Sequence, residues 1–529
     1  MRKPVLLTAL LGILMSTTVM TGCTKTTKKD EYTKDGRLKI SMRNLYFDDY
    51  AGGDAYLEEL EKQFQISLEL TAYDWANWAT QVNGEITSGH LYDVFHANID
   101  SYNFAAFYKF WAEEHMIKPL PKDLSQWPNL KKMIENTTNI ESLKLGGELY
   151  GIPIAKNTTN YETTFSPFTY IYRRDWAKKY GVYQENDEYT WDQFQTLLET
   201  FATEFKGKNM YALGDVEWGF PSITNFYKQV PHCFAQDETG KYVNNYTTDA
   251  YIEGLEKSKE FKLKNWYGYP QNTASDGKLN SEYYGNKVGV LYENLSYDNF
   301  VTLKKQLILS NESVANFNVD DATAIMKIKG PDGKYVLEGT DNWFSMTFFD
   351  NKISDEKLHK LLDLYDWLLG EEGTRFSIFG IEGYDYKIEN GEIKLIDAYW
   401  PKNKNGTYAR KDNGGRYLRN MVSLGYDTLA DNPLTDKDAL AYLNAWEAEM
   451  NVAKSSGTLK VLKETPEVMW LTSEKKAQFS GMLRTEALGT VMKYIYSSGI
   501  TTIEQYKNYF NNNKTWKDVL AEVNSELGK

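Results

Sequence analysis

The run Leu38-Lys39-Ile40-Ser41-Met42 alternates apolar and polar side chains, the period-two signature of a half-buried strand. Helical spacing follows from Asp54 to Gln65, with Tyr56, Leu57, Leu60 and Phe64 on one stripe. Ile66-Ser67-Leu68-Glu69-Leu70 reads as a second strand. Trp75 to Ser88 reads as a helix stopped near Gly89, and Asp93-Val94-Phe95-His96-Ala97 as a third strand. Strand, helix, strand, helix, strand in that order predicts an α/β sheet. Ligands of such sheets sit beyond the carboxyl ends of strands. That rule points to three loops: Arg43-Asn44-Leu45-Tyr46, Tyr73-Asp74-Trp75 and Asn98-Ile99-Asp100-Ser101.

Downstream the alternation continues. Gly147-Glu148-Leu149-Tyr150-Gly151-Ile152-Pro153 is a glycine-rich turn entering a short strand. Phe168 to Tyr172 is a further strand, followed by a helix from Arg174 to Tyr180 and a stop at Gly181. Thr190-Trp191-Asp192-Gln193 has the spacing of a capping box at the head of another helix.

Upstream, Arg2 and Lys3 precede an apolar run from Val5 to Leu14 that fades towards Met20. It is short and early, which predicts a secretory signal over residues 1–22 rather than a retained membrane span. The run ends at Met20-Thr21-Gly22-Cys23, which resembles a bacterial lipobox with Met20 in place of the usual leucine. Cleavage there leaves Cys23 as an acylated N-terminus. Residues 23–36, rich in Thr, Lys and Asp, offer nothing to pack and predict a flexible tether. The expected location is the extracellular face of a bacterial cell membrane.

The remaining body is too long for a single core and predicts two substantial lobes. Loss of residues 1–22 removes two cations, leaving 58 basic against 73 acidic residues, a net charge of −15. That balance excludes nucleic-acid binding and polybasic docking on anionic lipid. The sole cysteine of the body is Cys233, so no internal disulfide forms, and no CxxC, HExxH or paired-histidine motif occurs. Tyr (39) and Trp (14) together outnumber Phe (24). Rings with a flat apolar face and a polar handle suit sugars, which present a C–H face and a rim of hydroxyls.

A resemblance now emerges. Gly147 to Pro153, Tyr172-Arg173-Arg174-Asp175-Trp176, Tyr180-Gly181-Val182 and Thr190 to Phe194 resemble, in order, family 1 extracellular solute-binding proteins of bacterial ABC importers. Tyr284-Gly285-Asn286-Lys287-Val288-Gly289-Val290, the amphipathic segment Ser354 to Leu369, Glu371-Glu372-Gly373 and Phe379 to Tyr386 continue the likeness. The last of these resembles the signature of that family's long, lipoprotein-type subgroup.

The resemblance implies a two-lobed, periplasmic-binding-protein-like fold (type II), with ligand clamped between lobes joined by hinge strands. Carried onto this chain, lobe one is 37–154 plus 343–385 and lobe two is 155–342 plus 386–529. The crossings lie near Ile152 to Tyr172, Asp341 to Thr347 and Gly383 to Trp400. It further implies a monomeric carrier, not an enzyme, that delivers a carbohydrate to membrane permease subunits and needs no cofactor. Length and aromatic supply favour an oligosaccharide, and the acidic balance favours a neutral one.

Trp75, Trp218, Trp343 and Trp400 are the candidate stacking platforms. Asn44, Asn98, Asp215, Glu217, Glu293, Asn294, Glu382 and Tyr384 are candidate polar contacts, with Arg43 and Lys156 supplying charge-assisted bonds. Trp111, Trp127, Trp176, Trp191 and Trp367 fall on apolar or helical patterns and are expected in cores. Arg173 and Arg174 beside Asp175 are expected to form surface pairs. The acidic stretch Gln184-Glu185-Asn186-Asp187-Glu188 lacks the alternation of a calcium loop, so no metal is expected. Three other functions stay open: a secreted glycan-active enzyme with a carboxylate pair, the same fold holding a peptide or other small solute, and an adhesin or sensor without an importer.

Overall fold

The structure is a computed structural model that describes residues 31–47, 50, 54–74, 77–97, 104–156, 165–215, 221–227, 233–267, 278–398, 413–424, 432–463, 466–469, 471 and 473–529. Its strands, in chain order, are β1 (Leu38–Asn44), β2 (Ile66–Ala72), β3 (Val94–Ala97), β4 (Ile152–Ala155), β5 (Phe168–Arg173), β6 (Glu188–Tyr189), β7 (Tyr211–Gly214) and β8 (Phe234–Gln236). They continue as β9 (Tyr242–Asn244), β10 (Val288–Asn294), β11 (Thr323–Ile328), β12 (Tyr335–Glu338), β13 (Trp343–Phe349), β14 (Tyr386–Glu389), β15 (Glu392–Leu395) and β16 (Leu459–Leu462).

Two five-stranded sheets organise the α/β molecule, one ordered β2-β1-β3-β13-β4 and the other β6-β11-β5-β10-β7. In the first, β1 pairs parallel with β2 and β3, while β13 runs antiparallel between β3 and β4. In the second, β10 is parallel to β7 and antiparallel to β5, and β11 is antiparallel to β5. The alternation that announced β1 is real: Leu38, Ile40 and Met42 are buried and Lys39 is exposed. Every residue of β3 and β4 is buried, as expected of strands covered on both faces.

The helices begin where the sequence places caps. Asp54 accepts from the Leu57 amide at the head of helix Ala55–Phe64, and Ser354 from the Lys357 amide at the head of Asp355–Leu369. The Thr190–Gln193 capping box is formed in full. Each such cap is worth about 1 kcal/mol. The first core joins Leu60, Val82, Phe95, Trp111, Phe348 and Leu361. The second sheet carries one core on Phe194, Phe201, Val290 and Met326 and another on Ile171, Leu291, Leu307 and Ile325. A helical unit of residues 233–255 and 468–523 shares its own core around Tyr246, Tyr506 and Trp516. No described helix is long and apolar enough to cross a membrane.

The third crossing departs from expectation. The hairpin β14–β15 packs on Ile378 and Phe379, and the helix Gly414–Arg419 lies in the first core with Leu57 and Leu361. The glycine pair is the reason. A Cβ on Gly414 would stand 2.9 Å from Leu57 Cβ, and one on Gly415 would stand 2.7 Å from the Phe376 ring. Val422 and Leu424 then bond both sides of Ala155 at the edge of β4. Among the described residues that follow, Asp436 returns to the second sheet's side, its amide donating to the Tyr297 hydroxyl at 2.7 Å. Residues 414–424, expected in lobe two, therefore pack with the first sheet.

Candidate functional site

The described ends of two passages between the sheets lie at carboxyl ends of strands. The chain leaves the end of β4 at Lys156 and enters β5 at Phe168, beside the end of β10, where the Leu295 amide donates to Pro167 O at 2.9 Å. It returns from the end of β12 through Gly339 to Asn342 and enters β13 beside Ala155. The ends of β1, β2, β3, β7 and β10 consequently converge on one region, the place an α/β sheet offers a ligand.

The wall on the second sheet is aromatic and acidic. Tyr170 and Tyr292 stand directly opposite on neighbouring strands, with ring centroids 4.9 Å apart. Phe168 lies 6.0 Å from Tyr292, and Phe226 lies 6.0 Å from Tyr170 on its other side. Asp215, just past β7, is buried and accepts from the Ser222 amide at 3.1 Å, from Ser222 Oγ at 2.9 Å and from the Tyr267 hydroxyl at 3.4 Å. Ser222 Oγ also bonds the Tyr170 hydroxyl. Glu338, at the end of β12, accepts from Asn225 Nδ2 at 2.8 Å and from the Tyr292 hydroxyl at 3.4 Å. Burial, reinforced by Asp215 and Glu338, pushes the Tyr170, Tyr267 and Tyr292 hydroxyls well above their ordinary range, so they remain proton donors. Burial also raises the Glu338 carboxyl. The wall thus sets the half-buried rings of Phe168 and Tyr292 beside fixed acceptors and donors, while Tyr170 and Phe226 are buried in the second core.

Of the sequence candidates, this wall gathers Asp215 and, at its rim, the half-buried Asn294, whose Oδ1 accepts from the Ser296 amide at 3.0 Å. Glu293 is buried, and its Oε1 accepts from the Asn294 amide at 2.9 Å. Tyr170, Asn225, Tyr292 and Glu338 were not among the candidates. The signal was present as aromatics at every second position of Phe168, Tyr170 and Tyr172, which puts them on one face of β5.

The wall on the first sheet is committed to internal bonds. Arg43 ion-pairs with Glu85, donates to Ala72 O at 3.0 Å and lies 4.4 Å over the Tyr73 ring. Asn44 is fully buried, accepts from the Tyr46 amide at 3.0 Å and donates to Met421 Sδ. Trp343, expected as a platform, is only 3 % exposed and donates to Thr138 O at 3.1 Å. Its ring is part of the first core. Lys156 ties passage to passage, donating to Thr340 Oγ1 at 2.5 Å and to Asp341 O at 3.0 Å. His96 lies beneath these residues, stacked on Tyr46 at 5.4 Å with Nε2 2.6 Å from Ser345 Oγ. Ser345 has φ 63° where the β13 register shifts between Trp343 and Met346, the geometry of a bulge. Burial depresses the His96 pKa to about 3.

Glu382 and Tyr384 occupy an exposed turn, with Tyr384 51 % exposed, pinned to helix Ala55–Phe64 by the bond from Tyr56 to Asp385 at 2.9 Å. Trp75, Asn98, Glu217, Trp218, Trp400 and Cys23 lie outside the described residues. Arg173, expected at the surface, is 3 % exposed and paired with Asp175. In the acidic stretch, Asp187 accepts from the Tyr172 hydroxyl at 2.5 Å and from Arg174 Nε at 2.8 Å. A guanidinium therefore sits where a cation would be needed. Among the described residues no cluster of three or more His, Cys, Asp or Glu is placed to hold a metal.

No family model matches the chain. The polygalacturonan/rhamnogalacturonan-binding protein YtcQ of Bacillus subtilis is 21% identical over 391 residues, covering 72% of this chain and 73% of YtcQ. Among solved structures, the alginate-binding protein AlgQ2 without calcium ion superposes with a TM-score of 0.65 at 17% identity, covering 94% of this chain and 99% of that one. The Streptococcus pneumoniae ABC-transporter substrate binding protein FusA in complex with kestose gives 0.64 at 14% identity, covering 92% and 98%. An extracellular solute-binding protein from Bifidobacterium longum subsp. infantis gives 0.63 at 16% identity, covering 93% and 99%. The two five-stranded sheets with passages leaving from carboxyl strand ends are thus those of the two-lobed solute-binding-protein fold, and this chain carries it.

Proposed function

We propose that the chain is the capture component of an ABC importer, which binds a neutral oligosaccharide by hinge closure and delivers it to membrane permease subunits. The observation that carries this reading is the half-buried pair of rings, Phe168 and Tyr292, set beside Asp215, Asn225 and Glu338 at the strand ends. Rings cover C–H faces of sugars, and fixed carboxylates and amides take hydroxyl pairs. Two carboxylates on the wall disfavour an anionic glycan, although YtcQ and AlgQ2 are named for acidic polymers. Lobe one in this reading is 37–154 plus 343–424, and lobe two is 155–342 plus 432–529. The protein acts as a monomer, is not an enzyme, needs no cofactor, and is held at the outer face of the membrane through acylated Cys23.

Calorimetry against neutral tetrasaccharides of glucose, xylose, mannose and galactose, with trigalacturonate and a tetrapeptide as contrasts, tests the ligand class. Binding to a neutral sugar with no hydrolysis products supports the carrier. Turnover establishes the enzyme instead, and binding to the peptide alone establishes the other solute class. Mass spectrometry of the N-terminus, with Cys23→Ala as control, tests the anchor.

A further inference from the structure

Glu338 differs from Asp215 in how its oxygens are used. Both side-chain bonds of Glu338 go to Oε1, from Asn225 and Tyr292. Among the described residues nothing donates to Oε2, and that atom is not enclosed. The carboxylate is therefore held in one orientation by two neutral donors, with its second oxygen left as an unused acceptor among the described residues. Its main chain is equally fixed. Glu338 O accepts from the Ser166 amide at 2.7 Å, which ties the outgoing passage to the returning one. The next residue, Gly339, donates to Leu462 O at 2.7 Å, and a Cβ there would stand 2.9 Å from Val461 and 3.0 Å from Lys463. Asp341 follows three residues after Glu338, at the junction of both lobes.

The geometry points to Glu338 as a specificity-determining ligand contact, its Oε2 accepting a hydroxyl of the bound neutral sugar while its main chain couples that contact to both passages. This rests on the carbohydrate reading above. A fixed acceptor rejects a ligand that lacks the hydroxyl and repels a uronate, since an unmatched buried polar group costs more than a made bond returns. Among the described residues, the charged and titratable groups facing Glu338 are Arg484 of helix Glu474–Ile495, Tyr292 of β10, and Tyr170 of β5 with Asp215 beyond it. Arg484 favours the ionised form and burial opposes it more strongly. Protonation turns Oε2 from an acceptor into a donor, so sugar affinity changes across the Glu338 titration, and glutamine at this position abolishes that change.

The test is calorimetry of the full-length protein in detergent against cellotetraose, xylotetraose, mannotetraose, maltotetraose and trigalacturonate from pH 5 to pH 8. Wild type is expected to bind a neutral sugar. Glu338→Gln is expected to keep its ligand-free melting temperature, lose at least tenfold in affinity for that sugar, and show a flat pH profile. Tyr292→Phe, which removes one of the two bonds orienting Oε1, is expected to lose several-fold and serves if Glu338→Gln does not fold. Wild-type affinity in both variants, or preference of wild type for trigalacturonate, overturns the assignment. Absence of binding to every sugar by wild type itself overturns the carbohydrate reading and the assignment with it, a pattern distinct from intact variants.

Discussion

Asp341 and Lys463 meet at 2.8 Å, and the same carboxylate oxygen accepts from Thr138 Oγ1 and Asn139 Nδ2, each also at 2.8 Å. Thr138 and Asn139 follow a helix packed on the first sheet, and Lys463 follows β16, which pairs with β12. One oxygen on the returning passage thus joins both bodies. Asp341→Ala removes an acceptor shared by three donors; Thr138 Oγ1 keeps Asn342 Oδ1 at 3.2 Å, and Lys463 retains partial access to water. A loss of about 2 kcal/mol is expected in urea unfolding, together with a broader distance distribution by small-angle scattering. Unchanged unfolding and scattering remove the junction role.

His96 sets an acid limit. Its pKa in the folded chain is about 3 against an ordinary 6.5, so the unfolded chain takes up the proton first as pH falls. The stability it supports is fully present above pH 6.5 and is lost progressively as pH drops towards 3. By pH 4.5 the loss is about 2–3 kcal/mol. The fall in urea midpoint between pH 7 and pH 4.5 should shrink in His96→Asn, which cannot titrate. An equal fall in both proteins assigns the acid sensitivity elsewhere.

Arg43→Ala separates scaffold from ligand contact. Its guanidinium serves Glu85, Ala72 O and the Tyr73 ring, so removal leaves the Glu85 carboxylate half-buried beside Tyr73 alone. Stability should fall by about 2–3 kcal/mol with sugar affinity unchanged within twofold. An affinity loss exceeding tenfold in a variant of wild-type stability returns Arg43 to the binding surface.

Asp187 is occupied by Arg174 and Tyr172. Addition of calcium or of a chelator should leave the thermal midpoint unchanged, whereas Asp187→Ala should lower it by several degrees. A calcium-dependent rise in wild type contradicts the pairing as the resting state.

The sheet order was legible in part. Period-two runs and caps announced β1 to β3 and the helices between them, because burial on one face writes itself into sequence. The third crossing was not legible, since the seating of Gly414 and Gly415 on Leu57 and Phe376 is a long-range fit between distant segments. The site divides the same way. Asp215 is legible as a carboxylate at a strand end. Arg43 and Trp343 look identical, in sequence, to ligand groups, and only Glu85 and Thr138 O reveal them as internal. Glu338, proposed above as a ligand contact, is not legible because its Asn225 and Tyr292 partners come from separate elements, 113 and 46 residues away.

The strand ends beside the passages belong to buried, mutually supporting sheets, while the described residues that follow them, such as Lys156, Leu295 and Gly339, are held by single main-chain bonds rather than by a full ladder. Under the carrier reading, exchange of those following segments alters what is grasped without altering how grasping is built. Such a chain is a frame with replaceable fingertips, and new ligands become accessible through short local replacements that leave both cores unchanged.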